Sequence, residues 1–129
     1  MGTSLALDWL QSANDDLEVI RKIINDERLT HIVAFHAQQS IEKSFKAVME
    51  YKNISVPKVH KLQFLIAKID LKIEMEESIL KVLDELYIDS RYPGNLGLLP
   101  YGKPTLSDAD LFFKQALNIY LKIENKIKG

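Results

Sequence analysis

The chain has 129 residues, of which 47% are hydrophobic and 27% charged, and its formal net charge is −1. This length fits one folded domain spanning residues 1–129, and the balanced charge excludes a global attraction to nucleic acid or anionic lipid. With no cysteine, no basic leader and no uncharged apolar run of about 18 residues, the sequence predicts a cytoplasmic protein without a membrane span.

The apolar residues of the first half indicate helices, because they recur at intervals of four and three. The first helix carries Ala6, Leu10, Ala13, Leu17, Ile20 and Ile24. After Asn25-Asp26, a second helix is predicted from about Glu27 to Tyr51, with Ala34, Ile41, Phe45 and Val48 on one stripe. Pro57 lies in the connection that follows.

The second half is predicted to be helical as well. A short helix is expected around Leu62, Leu65, Ile66 and Ile69, and a longer one carries Met75, Ile79, Val82, Leu83, Leu86 and Tyr87. Ser107, with Asp110 three residues later, resembles a capping box before the last helix. Extra apolar residues on that helix suggest two covered faces, one of which could face a second subunit: Phe112, Leu117, Ile119 and Leu121.

No segment alternates with period two for long enough to indicate a strand, so the fold class is all-α. Four long helices plus one short helix favour an up-and-down antiparallel helical bundle. The loop over residues 91–105 is longer than the usual helix connection of about two to eight residues. Such a loop is typical of a functional or disordered segment, or it is a rigid strap that packs Leu96, Leu98, Leu99 and Tyr101 onto the bundle.

Polar residues interrupt the apolar stripe of the second helix. Gln38 continues the rhythm of Ala34 and Ile41, so its amide should be buried and should need partners, with Glu42 as the local candidate and Arg91 as the distant one. The structural interpretation is a satisfied contact that fixes helix register. The functional interpretation is a ligand site.

A neighbouring stripe of the same helix carries His36, Gln39, Lys43 and Lys46. Its functional interpretation is a small patch that faces a phosphate. The alternative is a solvated face with a Glu42–Lys46 pair, which is favoured because no aromatic residue interleaves the stripe.

Metal and cofactor chemistry find little support in the sequence. His31 and His36 are five residues apart and therefore on different helix faces, and no HExxH or ExxH spacing occurs. His60 precedes the short helix, where an imidazole is more often bonded to the backbone. Phosphate-cradling and dinucleotide-binding glycine motifs are absent, so we expect neither a metal nor a cofactor.

Several stretches together resemble the HEPN family, the higher eukaryote and prokaryote nucleotide-binding domain. They are Trp9, Ala13, Asp16 and Leu17; the block "AFHAQQSIEKSFKAV"; His60 and Leu62; and the stretch from Leu83 to Pro93 that ends in "SRYP". The resemblance implies a helical bundle, usually a homodimer, often encoded beside a minimal nucleotidyltransferase in a toxin–antitoxin-like pair. Many members are metal-independent ribonucleases with an Arg followed, after four to six residues, by a His.

The sequence departs from that ribonuclease motif. Arg91 matches the motif Arg by context, but Leu96, Gly97 and Leu98 stand where the His should be, and neither Arg21 nor Arg28 begins an intact motif. We therefore expect a non-catalytic dimeric module that binds a nucleotide, an RNA segment or a partner nucleotidyltransferase. Its candidate ligand-binding residues are Arg91, Gln38, Gln39, Glu42, Lys43, Lys46 and Tyr92.

Two alternatives stay open at this stage. The first is a ribonuclease with a displaced base, in which His36 or His60 folds close to Arg91. The second is a purely structural interaction domain, in which Arg91 pairs with Glu42 or Asp89 inside the bundle.

Overall fold

Five helices, four of them long, form an up-and-down antiparallel bundle in the computed structural model, as the sequence predicts. The structure describes residues 2–71, 75–89 and 102–129. The helices are α1 (Gly2–Ile23), α2 (Thr30–Tyr51), α3 (Leu62–Ile66), α4 (Glu77–Asp89) and α5 (Leu106–Lys128), and a 3-10 turn at Glu27–Leu29 precedes α2. Within these described ranges no β-strand forms.

The central element of the bundle is α2, which packs against α1, α5, α4 and α3. Its predicted stripe is fully buried, since Ala34, Ile41, Phe45 and Val48 are at most 1% exposed. Burying one such large apolar side chain contributes roughly 1.5 to 3 kcal/mol. Because neighbours surround α2 on several sides, its polar residues are also drawn inside, and this positions the candidate site.

The carboxyl end of α2 reverses the chain. Asn53 adopts the left-handed conformation with φ 58°, which asparagine tolerates better than most residues. The Asn53 amide donates to the Glu50 carbonyl at 3.1 Å, and the Ile54 amide donates to the Met49 carbonyl at 2.8 Å. These two bonds form a Schellman motif that ends the helix.

After this reversal, residues 54–60 carry no helix and run to His60. Seven residues reach at most about 23 Å when they are fully extended. That distance equals about 15 residues of α-helix at about 1.5 Å each. The run is therefore long enough to place His60 beside Gln38 and Glu42, near the middle of α2.

Three boundaries differ from the sequence prediction. Met75 lies before the first residue of α4, and it packs against the core from this non-helical position. Ile69 lies beyond α3, in a turn where its amide donates to the Ile66 carbonyl at 3.4 Å, and it is still buried. The second helix begins at Thr30, after a separate 3-10 turn at Glu27–Leu29. Met75 and Ile69 show that apolar character reports burial as well as helical spacing.

The predicted capping box of α5 is wrong by two residues. Thr105, not Ser107, is the N-cap: its side chain accepts from the Asp108 amide at 3.0 Å, and the Asp108 carboxylate accepts from the Thr105 amide at 2.9 Å. The hydroxyl of Thr30 donates to the Pro104 carbonyl at 2.6 Å and fixes the chain immediately before the cap.

The extra apolar residues of α5 divide between the core and the surface. Phe112 and Ile119 are buried in the core of this chain, Leu117 is half-buried, and Leu121 is 49% exposed. Leu106 and Leu111 are exposed as well. Only part of the extra apolar surface is thus available to a second subunit.

Candidate functional site

The first polar cluster joins α1 to α2. Asp16 is buried, and its two carboxylate oxygens face different partners: Oδ1 lies 2.9 Å from Nδ1 of His36, and Oδ2 accepts from Nζ of Lys43 at 2.8 Å. We call these three residues the Asp16 cluster. The side chains of Lys43 and His36 are 22% and 24% exposed. The Asp16 carboxylate therefore contacts both of them in a partly desolvated environment.

The second polar cluster lies further along α2. Glu42 is buried and accepts from Nζ of Lys46 at 3.0 Å, while its Oε1 lies 3.1 Å from Nδ1 of His60. These three residues are the Glu42 cluster. Lys46 is only 6% exposed and its ammonium lies 5.5 Å from the ring centroid of Trp9, whereas the His60 side chain is 51% exposed. Both clusters therefore consist of one carboxylate, one lysine and one histidine held through Nδ1.

The backbone around His60 is held by two more buried groups. Gln38 donates from Nε2 to the His60 carbonyl at 2.6 Å, and Asp84 of α4 accepts from the amides of Leu62 at 2.7 Å and Gln63 at 3.2 Å. Burial raises the pKa of the Asp84 carboxyl, although the bonds from these two amides oppose the shift. The imidazole is thus fixed through its ring, its own carbonyl and the residues that follow.

The predicted burial of Gln38 is confirmed, since this residue is 1% exposed. The predicted local partner is wrong: Gln38 bonds to the His60 carbonyl, and Gln39 donates to the Gln38 side-chain oxygen at 2.8 Å. Glu42 is already engaged by Lys46 and His60, and the returning chain offers the amide a closer acceptor.

The predicted stripe of His36, Gln39, Lys43 and Lys46 divides between different partners. His36 and Lys43 join the Asp16 cluster, whereas Lys46 joins the Glu42 cluster. The expected Glu42–Lys46 pair forms, but it is buried rather than solvated. Sequence spacing did not reveal the aromatic contact of Lys46, because Trp9 comes from α1.

An aromatic row connects the two clusters. Ring centroids lie 5.3 Å apart between His36 and Phe35, 5.7 Å between Phe35 and Tyr87, and 5.4 Å between Tyr87 and His60. All three contacts are edge-on, which is a favoured geometry for aromatic pairs. The row thus packs the end of α4 against both histidines.

The remaining candidate residues fall elsewhere. Arg91 and Tyr92, with the rest of residues 90–101, lie outside the described residues. His31 is the third histidine: its Nδ1 is buried without a hydrogen-bond partner, and burial, aided by Lys103, lowers its pKa.

Asp16, His60 and Asp84 contribute more to the site than the sequence indicated. His60 was expected to bond to backbone, but its ring faces a carboxylate. Asp84 carried no recognisable signal, since it is one acid among several on a predicted helix. In the part of the chain that the structure describes, no group of three or more Asp, Glu or His side chains could hold a metal ion.

Comparison with known proteins identifies the family. The HEPN domain model matches residues 6–126, nearly the whole chain. The chain belongs to the HEPN family. The resemblance seen in the sequence is thereby confirmed. No described helix of this HEPN domain is long and apolar enough to cross a membrane.

Two solved structures share the HEPN fold found here. TT1696 from Thermus thermophilus is 27% identical, with a TM-score of 0.72 over 94% of this chain and 97% of that chain. ST0689, an archaeal HEPN homologue, is 26% identical, with a TM-score of 0.66 over 95% of this chain and 97% of that chain. The search of curated proteins returned no match.

Proposed function

We propose that this HEPN domain is a non-catalytic binding module for a nucleotide or an RNA segment, and that it works as a homodimer beside a partner nucleotidyltransferase in a toxin–antitoxin-like pair. The observation that carries the proposal is the incomplete ribonuclease motif. Arg91 is followed by Leu96, Gly97 and Leu98 where a histidine is required. The guanidinium remains to hold a phosphate, but the imidazole that would move a proton is missing from the motif.

The contacts within the polar clusters support different roles for the candidate residues. Lys46 is buried on Glu42, so both residues position their neighbours rather than contact a ligand. Gln38 acts in the same way through the His60 carbonyl. The groups that are accessible to a ligand are the half-buried Gln39 and Lys43. Together with Arg91 and Tyr92, they form the proposed ligand-binding set.

A binding titration tests this proposal. ATP and a short single-stranded RNA are titrated against the wild type, Arg91→Ala and Arg28→Ala. Arg28 is a suitable control because its side chain is 83% exposed and pairs with the neighbouring Asp26. A charge-assisted hydrogen bond contributes about 1.5 to 3 kcal/mol, so Arg91→Ala should bind roughly 10- to 100-fold more weakly. Equal affinities for all three proteins would remove Arg91 from the site.

The proposed dimer has a separate test. Leu106, Leu111 and Leu121 are exposed on α5 and supply apolar surface for a second copy. Analytical ultracentrifugation should give twice the mass of one chain, and Leu121→Lys should shift it toward the monomer. A monomeric wild type would contradict the dimer but leave the binding proposal open to the titration. Co-purification with the product of a neighbouring nucleotidyltransferase gene tests the partner.

A ribonuclease with a displaced base is the second candidate, and one observation favours it. Glu42 holds Nδ1 of His60 at 3.1 Å, so that Nε2 of a 51% exposed ring is left to accept a proton. Incubation of RNA with the pure protein in EDTA decides between the two candidates. Cleavage that is lost in both His60→Gln and Arg91→Ala would replace the non-catalytic proposal. A purely structural domain would neither bind nor cleave.

A further inference from the structure

Two segments of this nearly neutral chain are locally basic, residues 51–71 and residues 111–129, and the first of them also carries an exposed aromatic ring. Residues 51–71 contain four lysines and a single acid, Asp70, whereas the whole chain has 17 basic and 18 acidic residues. Three of these lysines, Lys58, Lys61 and Lys68, are exposed and lie within eleven residues of one another. A local patch of this kind is what a protein with a net charge near zero needs to attract a polyanion.

An exposed aromatic ring lies within this basic segment. Phe64 of α3 is 41% exposed, although the helix buries two of its other large apolar residues, Leu62 and Leu65, completely. The ammonium of Lys68 lies 5.1 Å from the Phe64 ring centroid. A ring with a cation beside it offers a stacking surface for a base and a charge for the adjoining phosphate.

The segment is held firmly in place. Lys52 donates from Nζ to the Asp70 carbonyl at 3.0 Å, which ties the two ends of the segment together. Asp84 fixes the start of α3 through the Leu62 and Gln63 amides. The exposed lysines and Phe64 are therefore presented from an ordered support, so that little entropy is lost when a ligand binds.

We infer that Lys58, Lys61, Phe64 and Lys68 form a binding surface for single-stranded nucleic acid, which we call the α3 surface. The lysines contact phosphates and Phe64 stacks on a base. The surface adjoins the Glu42 cluster, because His60 immediately precedes Lys61 in the chain. The inference rests on the proposed function, and it extends the proposed ligand from one nucleotide to a strand that crosses α3.

The chemistry of the α3 surface favours a nucleic acid over an acidic protein. Either ligand would satisfy the lysines, but only a strand of bases also gains from stacking on Phe64. Base–aromatic stacking tolerates any sequence, so the expected recognition is of single strands in general.

Fluorescence anisotropy with a labelled oligoadenylate of about 12 nucleotides tests the inference, because single-strand binding sites cover about 4 to 16 nucleotides. One variant replaces Lys58, Lys61 and Lys68 together by Gln, and another is Phe64→Ser. Losing three phosphate contacts should reduce the slope of log affinity against log salt by about 2. Phe64→Ser should weaken binding at least about fivefold without changing that slope, and Phe64→Tyr should restore it.

The matched control removes the same charge from α5 by replacing Lys114, Lys122 and Lys126 together by Gln. All three of these lysines are exposed, and this variant should keep the wild-type slope. Circular dichroism confirms that each variant is folded, which is expected because the changed side chains lie at the surface. If the slope of log affinity against log salt falls equally in both triple variants, the oligonucleotide is attracted only by the general electrostatic field of the protein. That result would contradict the inference that the α3 surface binds nucleic acid.

The other outcomes separate this inference from the proposed function. Wild-type binding that Arg91→Ala weakens but no α3 variant affects would overturn the α3 surface and leave the proposed function intact. No binding of ATP or oligoadenylate by the wild type would overturn both. Competition by polyglutamate as strong as by oligoadenylate, with no effect of Phe64→Ser, would make the surface one for an acidic protein and overturn the nucleic-acid assignment.

Discussion

Oε1 of Glu42 lies 3.1 Å from Nδ1 of His60, although the two residues are 18 positions apart in the chain. The contact depends on the Schellman motif at Asn53, which reverses the chain and lets it return along α2. It leaves a half-exposed imidazole backed by a carboxylate that itself neutralises a buried lysine. Glu42 therefore sets the orientation in which the His60 ring can meet a ligand.

Replacing Glu42 by Gln should destabilise the fold. The change leaves the Lys46 ammonium, which is 6% exposed, without a counter-charge. Breaking a buried ion pair from one side costs about 3 to 5 kcal/mol. Urea unfolding measures the loss. The double variant Glu42→Gln with Lys46→Met should recover most of it, and a double variant as unstable as the single one would show that the unpaired lysine is not the cause.

Replacing Gln38 by Leu should destabilise the bundle by about 1 to 3 kcal/mol, because the His60 carbonyl loses its amide donor. Gln63→Leu is the matched control, since that side chain is exposed on the neighbouring helix and the change should stay within about 0.5 kcal/mol. Chemical denaturation of both variants makes the comparison. Equal losses would contradict the positioning role of Gln38.

The buried carboxyl of Asp84 should make stability depend on pH in the acidic range. Burial raises its folded pKa above the ordinary value of 3.8, so the folded protein holds this proton more tightly than the unfolded chain does. The protonated Asp84 carboxyl therefore contributes its full stabilisation below about pH 3.8. That contribution to the free energy of unfolding is lost as the pH rises through the higher pKa of the folded state.

Urea unfolding of the wild type and of Asp84→Asn measures this dependence between about pH 3 and about pH 6. The asparagine cannot ionise, so the stability of the wild type relative to this variant should fall as pH rises. Lys61 favours the carboxylate, so Lys61→Gln should steepen the fall. A relative stability that rises with pH would mean that the bonds from Leu62 and Gln63 outweigh desolvation.

The position of the α5 cap can be tested with two small substitutions. Thr105→Ala removes the side-chain acceptor of the Asp108 amide and should cost about 1 kcal/mol. Ser107→Ala changes an exposed residue in the first turn and should stay within about 0.5 kcal/mol. Thermal unfolding compares the stabilities of the two variants. A larger loss for Ser107→Ala than for Thr105→Ala would support Ser107 as the N-cap, as predicted from the sequence.

The sequence predicted the helices well because periodicity reports which residues are buried. The core stripe of α2 and the burial of Gln38 both followed from spacing alone. The cap of α5 was misassigned because Thr105 with Asp108 and Ser107 with Asp110 satisfy the same pattern. The tertiary bond from Thr30 to the Pro104 carbonyl, which spacing cannot reveal, favours the first pair.

The candidate site was less predictable, because its partners come from different helices. The sequence placed His36, Lys43 and Lys46 on one stripe, but Asp16 from α1 pairs with two of them and Glu42 with the third. The Lys46 contact with Trp9 has the same origin. Spacing along one helix gives the direction of a side chain, whereas its partner depends on how the helices are arranged.

The contact between His60 and Glu42 constrains the number of residues in the run from Ile54 to His60. Each residue adds up to about 3.3 Å to the reach of the chain, which is more than the length of a hydrogen bond. We therefore expect the deletion or insertion of one residue in this run to break the contact between His60 and Glu42, whichever residue is involved. Evolution can therefore change the residues of this run more freely than their number, and relatives that keep the histidine–glutamate contact should keep the count.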